Sequence, residues 1–295
     1  MVQPSRRLQM LGLALAGVVA VEAAPRPQQA DFTARVDAVR VDVDVRRGNK
    51  PVTGLRASDF EVLDNGVPQR VELVSPTALP LNVVLALDGS TSLDDRERRH
   101  LIAAGKRVID ALRPTETAAL VTFSERVAIQ STFTDDWMRL RMLVGGGMPG
   151  GDTALHDAAH VAMVLASSAP GRSMVILFSD GDDTASVLTE DLVLDTAKRT
   201  GAVVCVVTLG TEDDVLPRLA ELTGGVFVKE SSLERVAERF GEILESFRNR
   251  YMVSFYPTGV ERAGWHTLKV RVKSGGDVRA RSGYWPAPAP APTNR

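Results

Sequence analysis

The sequence has almost no cysteine: Cys205 is the only one among its 295 residues. An intramolecular disulfide is therefore excluded, and stability must come from packing, with or without a bound metal. Cys205 lies in the apolar run from Ala202 to Val207, which is bounded by Gly201 and Gly210 and is typical of a buried strand. We expect its thiol to be a small core side chain rather than a nucleophile.

An excess of either charge is also missing. Lysine and arginine total 35, against 37 aspartate and glutamate residues, which gives a formal net charge of −2. A chain so nearly balanced has no overall field that would steer it to nucleic acid or to an anionic membrane. We therefore expect no nucleic-acid partner. Hydrophobic residues make up 44% of the chain, enough for a core in one large domain with a smaller part beside it.

The N-terminus has the composition of an export signal. Arg6 and Arg7 precede an uncharged run from Met10 to Val21, and two alanines follow. This order predicts a secretory signal peptide over residues 1–24. The run is shorter than the about 20 apolar residues that cross a bilayer, so we expect no membrane span in the mature chain. The expected location is periplasmic or extracellular, with an uncleaved N-terminal anchor as the alternative.

Alternation of apolar and polar residues dominates both flanks of the chain. It is clear from Val39 to Val45 and returns from Met252 to Tyr256. A two-residue period predicts strands with one buried and one solvent-exposed face. We expect residues 31–79 and 249–286 to pair with each other in a small β-sandwich. Residues 287–295, rich in proline and alanine, are expected to be a disordered tail.

The middle of the chain, residues 80–248, has a different pattern. Short apolar runs alternate with segments of helical period, which predicts an α/β domain with a doubly wound, mostly parallel sheet. The candidate strands are Leu81 to Leu87, Ala118 to Phe123, Met174 to Phe178 and Ala202 to Leu209. Val127 to Thr132 is expected to be an antiparallel edge strand. We expect this domain to be inserted into the β-sandwich, because the flanks are too short to fold separately.

Five oxygen-bearing side chains follow the candidate strands or precede a helix. Asp88, Ser90 and Ser92 form an Asp-x-Ser-x-Ser run, Thr153 precedes a candidate helix, and Asp180 follows a later strand. Doubly wound sheets bind ligands beyond the carboxyl ends of their strands, and all three segments can reach that crevice. Three hydroxyls and two carboxylates, without His or Cys, favour a hard cation over zinc. Neutral hydroxyls leave a divalent cation under-neutralised, so that it can accept a further carboxylate.

In these five residues the sequence resembles the von Willebrand factor type A (VWA) family. The metal-ion-dependent adhesion site (MIDAS) of that family consists of an Asp-x-Ser-x-Ser run, a later threonine and a still later aspartate. All five positions have matches here in the same order. The resemblance covers the middle of the chain. It implies direct metal bonds from Ser90, Ser92 and Thr153, with Asp88 and Asp180 holding waters that coordinate the metal.

A second resemblance lies in the flanks. Val52-Thr53-Gly54-Leu55, the run from Asp59 to Gly66 and the closing Arg281-Ser282-Gly283-Tyr284 are similar to exported VWFA-related bacterial proteins of the acidobacterial type. This similarity supports the architecture and the export prediction. It implies no particular biological role.

The function expected from these residues is metal-dependent binding of a protein ligand, in adhesion or assembly, and not catalysis. Mg²⁺ is the expected ion, with Mn²⁺ or Ca²⁺ as alternatives, and a Glu or Asp of the partner would complete its coordination. Two other functions stay open. One is a metal-assisted hydrolase, in which the cation activates water, although no general base stands out near the site. The other is a structural envelope module without a functional metal.

Simpler roles are also open for some of these residues. Asp88, Ser90 and Ser92 could only cap the helix that follows them, because Asp and Ser are favoured at helix N-termini. His156 and His160 stand four apart on a candidate helix, a spacing that can bind zinc. No Glu-x-x-His pattern accompanies the two histidines, so we expect them to have a structural or surface role.

Overall fold

A computed structural model describes residues 38–74, 79–146, 150–210, 213–261 and 263–286. The expected signal peptide, residues 1–24, and the expected tail, residues 287–295, lie outside the described residues and stay predictions. Within the described ranges, no helix combines the length and the apolarity that crossing a bilayer requires.

The N-terminal flank is built from short strands. They are β1 (Val39–Arg47), β2 (Lys50–Pro51), β3 (Phe60–Asp64), β4 (Val67–Gln69) and β5 (Glu72–Val74). Asn65 and Gly66 join β3 to β4, and both have positive φ, at 46° and 83°. An Asn-Gly pair favours this backbone conformation, which suits a two-residue hairpin turn between twisted strands.

The middle of the chain alternates strands with helices. The strands are β6 (Leu81–Asp88), β7 (Thr117–Phe123), β8 (Val127–Thr134), β9 (Arg172–Ser179), β10 (Val203–Thr208) and β11 (Phe227–Lys229). The helices are α1 (Asp95–Asp110), α2 (Trp137–Gly145), α3 (Leu155–Ser167), α4 (Glu190–Arg199), α5 (Val215–Thr223) and α6 (Leu233–Arg248).

These strands form one sheet in the order β11-β10-β9-β6-β7-β8, in which β8 alone is antiparallel to its neighbour. The predicted α/β fold and the antiparallel edge strand are confirmed. Every residue of β6 and of β9 is buried, because helices cover both faces of the sheet. Cys205 is buried in β10, and burial raises the pKa of its thiol, in agreement with a core role.

The C-terminal flank returns to strands. They are β12 (Tyr251–Phe255), β13 (His266–Val272), β14 (Asp277–Arg279) and β15 (Gly283–Tyr284). In one sheet β1 pairs with β12 and β14, and in the other β3 pairs with β13, all antiparallel. The two sheets share one apolar core, in which Phe60 meets the Tyr251 ring with 5.2 Å between centroids. Each sheet thus combines strands from both ends of the chain, as expected for a sandwich interrupted by the α/β segment.

A buried ion pair connects the flanks to the α/β segment. Arg172, at the start of β9, donates from Nε to Oδ1 of Asp42 on β1 at 2.8 Å. Its Nη2 also donates to the carbonyl oxygen of Phe247 at 2.8 Å, and its guanidinium lies 4.6 Å from the centre of that ring. Arg172 is only 4% exposed, so its charge depends on this carboxylate partner.

Candidate metal-binding site

The order of the central strands places a crevice between β6 and β9. The chain continues from β6 to its neighbour β7 on one side and from β9 to its neighbour β10 on the other side. The strand order therefore reverses between β6 and β9, which is where doubly wound sheets bind ligands. At this edge β6 ends with Asp88, and β9 ends with Ser179, which Asp180 follows.

Asp88 is fully buried at the end of β6, and both of its carboxylate oxygens accept hydrogen bonds. Oδ1 accepts from the backbone N–H of Ser90 at 2.8 Å, and Oδ2 accepts from the hydroxyl of Ser179 at 2.7 Å. The carboxylate is thereby held in one orientation. Ser179 was not predicted from the sequence as part of the site.

The Asp-x-Ser-x-Ser run is not the cap of the helix that follows it. The hydroxyl oxygens of Ser90 and Ser92 lie 2.8 Å apart, beside Asp88. Helix α1 begins later, and its N-cap is Asp94, whose carboxylate accepts from the backbone N–H of Glu97 at 2.7 Å. The capping interpretation of the run is therefore wrong, and its two hydroxyls stay together at the crevice.

Thr153 lies on a loop that is hydrogen-bonded to both neighbouring segments of the site. The backbone N–H of Thr91 donates to the carbonyl oxygen of Gly151 at 3.0 Å, which ties this loop to the Asp-x-Ser-x-Ser run. On the other side, the backbone N–H of Thr153 donates to the hydroxyl of Thr184 at 2.9 Å, and its carbonyl accepts from the N–H of Thr184. Thr153 is 6% exposed between these two connections.

The two aspartates of the site repel each other. Burial raises the pKa of Asp88, hydrogen bonds from Ser179 and Ser90 offset part of this effect, and the charge of Asp180 raises it further. The Oδ1 atom of Asp180 is buried and has no hydrogen-bond partner among the described residues. Buried carboxylates with an unused acceptor are costly unless a cation or donor meets them. The site therefore has the chemistry of a cation site.

Asp88, Ser90 and Ser92 thus lie together, and the segments that carry Thr153 and Asp180 adjoin them. Metal binding by these five residues stays a prediction. Among the described residues, no three His, Cys, Asp or Glu side chains are grouped as a metal site would need. Two carboxylates and three hydroxyls form a different kind of ligand set, one typical of hard cations.

A family model agrees with the fold and with the position of this crevice. The model described as "von Willebrand factor type A domain" matches residues 82–239, more than half of the chain. The chain belongs to the von Willebrand factor type A domain family. We call residues 82–239 the VWA segment; it contains β6 apart from its first residue, the strands β7 to β11 and the five candidate site residues. No curated protein matches the chain in sequence.

Solved structures share the fold of this VWA segment at low sequence identity. Proximal thread matrix protein 1 from the mussel byssus aligns with a TM-score of 0.52 and 17% identity, over 63% of this chain and 50% of that chain. A structure of the same mussel protein, described as having a zinc-occupied MIDAS motif, aligns with a TM-score of 0.53, 17% identity and the same coverage. The chain therefore spans about half the length of the mussel protein.

A bacterial domain also aligns with the VWA segment. It is the vWF domain of the type V pili tip protein Mfa5 from Porphyromonas gingivalis, with 13% identity and a TM-score of 0.47. The alignment covers 57% of this chain and 95% of that domain.

Residues outside the predicted set hold the loops of the VWA site in place. Asp183 caps helix α3 from a distant loop, since its Oδ1 accepts from the backbone N–H of Leu155 at 2.8 Å and of His156 at 3.2 Å. The carbonyl of Ser124 accepts from Ala154 at 2.7 Å, while its buried hydroxyl has no partner among the described residues. Neither residue could be found from the sequence. Ser124 belongs to no motif, and Asp183 lies 28 residues from the helix start that it caps.

The two histidines of α3 bind different partners and do not form a zinc pair. Nε2 of His156 lies 2.6 Å from Oδ2 of Asp213, and Nδ1 of His160 lies 2.8 Å from the hydroxyl of Thr196. Burial lowers the pKa of His156, but the hydrogen bond and charge of Asp213, with the charge of Asp183, outweigh it and raise the pKa overall. The same hydrogen bond lowers the pKa of Asp213 against the opposing effect of burial.

We expect the pair of His156 and Asp213 to stabilise the fold most between pH 3.8 and 6.5. A raised His156 pKa means that its contribution is complete below 6.5 and disappears as the pH rises through the folded-state pKa. The lowered Asp213 pKa means that its contribution is present above 3.8 and is lost as the pH falls through the folded-state value.

A substitution of His156 tests this pH dependence. His156→Gln should lower the free energy of unfolding by about 1.5–3 kcal/mol at pH 6 and by less at pH 9, measured by urea unfolding. His160→Gln is the control, because His160 has a hydroxyl partner instead of a carboxylate. An equal loss for His156→Gln at both pH values would contradict the prediction.

Proposed function

We propose that this VWA domain binds a protein partner through a divalent cation in the crevice between β6 and β9. Ser90, Ser92 and Thr153 would bind the ion directly, and Asp88 and Asp180 would hold it through water. A Glu or Asp of the partner would take the remaining position. The expected role is adhesion or assembly outside the cytoplasm, in keeping with the export signal predicted for residues 1–24.

The observation that carries this proposal is the pair of neighbouring carboxylates. Asp88 is fully buried, the charge of Asp180 raises its pKa, and Asp180 keeps a buried oxygen without a hydrogen-bond partner among the described residues. A divalent ion would neutralise both charges. It would also use the paired hydroxyls of Ser90 and Ser92, which lie at the mouth of the same crevice.

Mg²⁺ is the ion that an all-oxygen ligand set favours, with Mn²⁺ and Ca²⁺ as alternatives. The mussel protein is described with zinc in its MIDAS motif, and that protein shares the fold at 17% identity. Zinc therefore belongs in the titration, although our ligand set contains no nitrogen or sulfur. We expect Mg²⁺ and Mn²⁺ to bind at one saturable site.

Binding is favoured over hydrolysis by the surroundings of the hydroxyls. The hydrogen bonds of Asp88 come from the backbone of Ser90 and the hydroxyl of Ser179, while His156 and His160 are held by Asp213 and Thr196. A hydrolase would need a group placed to accept a proton from water or from a serine hydroxyl. Among the described residues, the group beside Ser90 that could accept a proton is the carboxylate of Asp88, which the proposal assigns to the metal, and no histidine is hydrogen-bonded to Ser90.

The experiment is affinity capture from a cell-envelope extract, with Mg²⁺ or with EDTA. We expect the wild-type protein to retain a partner only with Mg²⁺, and Asp180→Asn to retain none because an essential charge is lost. Asp191→Asn is the matched control, since Asp191 is exposed on α4 and takes part in none of the hydrogen bonds described for the site. It should behave as the wild type.

Three results would contradict the proposal. Equal capture of the partner with Mg²⁺ and with EDTA would show that the interaction does not need a metal ion. Turnover in a broad hydrolase screen that requires metal and is lost in Thr153→Ala would favour a hydrolase. Calorimetric titration without a saturable site for Mg²⁺, Mn²⁺, Ca²⁺ or Zn²⁺ would favour a structural module.

A further inference from the structure

A large cavity lies at the other end of the central sheet from the candidate metal site. It has a volume of about 1180 Å³ and is bordered by the start of β11, the last turns of α5 and α6, and strands β13 and β14 of the C-terminal flank. Pockets for small molecules typically measure about 300–1,000 Å³, so this cavity has room for one. We call it the arginine cavity, after the residues described next.

Positive charge predominates on the walls of the arginine cavity. Among the described residues that line it, six are basic and three are acidic. The basic residues are Arg46, Arg239, Arg250, Lys269, Arg279 and Arg281. Arg46 and Arg239 form ion pairs with carboxylates. The other four form no ion pair with any described residue, although Arg279 lies opposite the buried Asp44 in the pairing of β14 with β1. Positive charge therefore exceeds negative charge on the walls of the cavity.

Arg250 is a buried cation that forms no ion pair with a carboxylate among the residues that the structure describes. It is 2% exposed, and its Nη1 donates to the carbonyl oxygen of Gly224 at 2.8 Å. Its guanidinium lies 5.2 Å from the centre of the Phe247 ring. Its Nε is buried and has no hydrogen-bond partner among the described residues. A guanidinium that has lost its water and keeps a free donor is expected to meet an anion.

Arg281, on the neighbouring wall, is a half-buried cation whose hydrogen-bond partners are neutral. Its guanidinium donates to the carbonyl oxygens of Gly283 at 2.5 Å, of Lys198 at 3.2 Å and of Thr200 at 3.0 Å. Neutral carbonyls satisfy its donors but do not neutralise its charge, and burial lowers the pKa of Arg281 to about 10. A nearby anion would remove this penalty for both arginines.

We propose that the arginine cavity binds a small polyanion that carries carboxylate or phosphate groups. Arg250 supplies a buried charge and Arg281 a half-buried one, while Lys269 and Arg279 supply exposed charges at the rim. This site is separate from the proposed metal site, and the anion it binds is not the acidic residue of the protein partner. The VWA domain would then have one ligand site at each end of its sheet.

Calorimetric titration of metal-free protein with citrate, and separately with inorganic phosphate, tests the proposal. We expect at least one of the two to bind saturably at one site. The double substitution Lys269→Gln with Arg279→Gln should weaken binding about tenfold or more, and it leaves Arg250 and Arg281 in place, so the protein should fold. Arg271→Gln is the matched control, because Arg271 is exposed on the same strand as Lys269 but does not line the cavity.

Two further variants test the buried arginine and the independence of the cavity from the metal site. Arg250→Lys should keep the charge, lose the Nε donor and weaken binding, whereas Asp88→Asn should leave anion binding unchanged. The proposal is overturned if neither anion binds, or if Arg271→Gln weakens binding as much as the rim substitutions. It is also overturned if only a tetraglutamate peptide binds, or if Asp88→Asn abolishes anion binding.

Discussion

Asp88→Asn should abolish the stabilisation of the protein by Mg²⁺ without lowering the stability of the metal-free protein. In the wild type, Mg²⁺ at 100 times its dissociation constant should raise the free energy of unfolding by about 2.7 kcal/mol. The variant should gain nothing measurable under the same conditions, because the asparagine has no charge to offer a divalent cation.

The surroundings of Asp88 explain why metal-free Asp88→Asn should lose no stability. Burial and the charge of Asp180 both raise its pKa, so the ionised carboxylate is costly to the fold when no cation is present. Asparagine keeps an oxygen that can accept from the backbone N–H of Ser90 and removes the repulsion with Asp180. We therefore expect the metal-free variant to melt at the same temperature as the wild type or higher.

Thermal unfolding with and without Mg²⁺ measures both effects in one series. Asp191→Asn, an exposed change on α4, should show the full Mg²⁺ effect. A large drop in the melting temperature of metal-free Asp88→Asn would mean that the carboxylate is needed for the fold itself. If Mg²⁺ still stabilised that variant, the metal would not bind at Asp88.

The α/β fold could be predicted because its central strands have long apolar stretches. The run from Val83 to Leu87 is buried on both faces and contains no polar residue that would interrupt the apolar pattern. The strand β11 could not be predicted, since three residues are too few to show any period. The same holds for β2 and β15, which have two residues each and exist only because a longer strand pairs with them.

The residues of the candidate site could be proposed from the sequence where they follow a strand, precede a helix or form a run. Asp88, Ser90 and Ser92 share one segment, and Asp180 directly follows the buried strand β9, so position alone brings them to the crevice. Ser179 was missed, although its hydroxyl lies 2.7 Å from the Asp88 carboxylate. Its contact depends on the register of β9 against β6, which no local pattern in the sequence contains.

The arginine cavity, unlike the candidate metal site, could not be predicted from the sequence. The basic residues of the arginine cavity lie on β1, β13, β14 and α6 and in the segments between them. Each one, taken singly, is an ordinary surface arginine or lysine in the sequence. The pairing of strands from the two flanks is what brings these basic residues together around the arginine cavity.

Asp64→Ala should destabilise the protein by about 3–5 kcal/mol, because it removes the centre of a buried polar network in the flanks. Asp64 is fully buried at the end of β3. Its Oδ1 lies 2.8 Å from Nδ1 of His266 on β13, and its Oδ2 accepts from the hydroxyl of Tyr284 on β15 at 2.7 Å. One residue of the N-terminal flank thus holds two residues of the C-terminal flank.

The size of the effect comes from the groups left behind. His266 is 1% exposed, and its Nε2 already lacks a partner among the described residues, so the loss of Asp64 would leave the whole ring unsatisfied. Burial, and then the hydrogen bond and charge of Asp64, raise the pKa of Tyr284, which keeps its hydroxyl protonated as a donor. Without Asp64 this donor too would be buried and unpaired.

Urea unfolding of three variants separates this network from general effects of substitution. Tyr284→Phe removes one hydrogen bond but leaves Asp64 with His266, so it should cost only about 0.5–1.5 kcal/mol. Glu61→Ala, at an exposed position of the same strand β3, should change stability by no more than about 0.5 kcal/mol. Mg²⁺ affinity should be unchanged in Asp64→Ala at temperatures where it stays folded, since the metal site belongs to the VWA segment. A cost for Asp64→Ala no larger than that for Glu61→Ala would show that the flanks do not depend on this network.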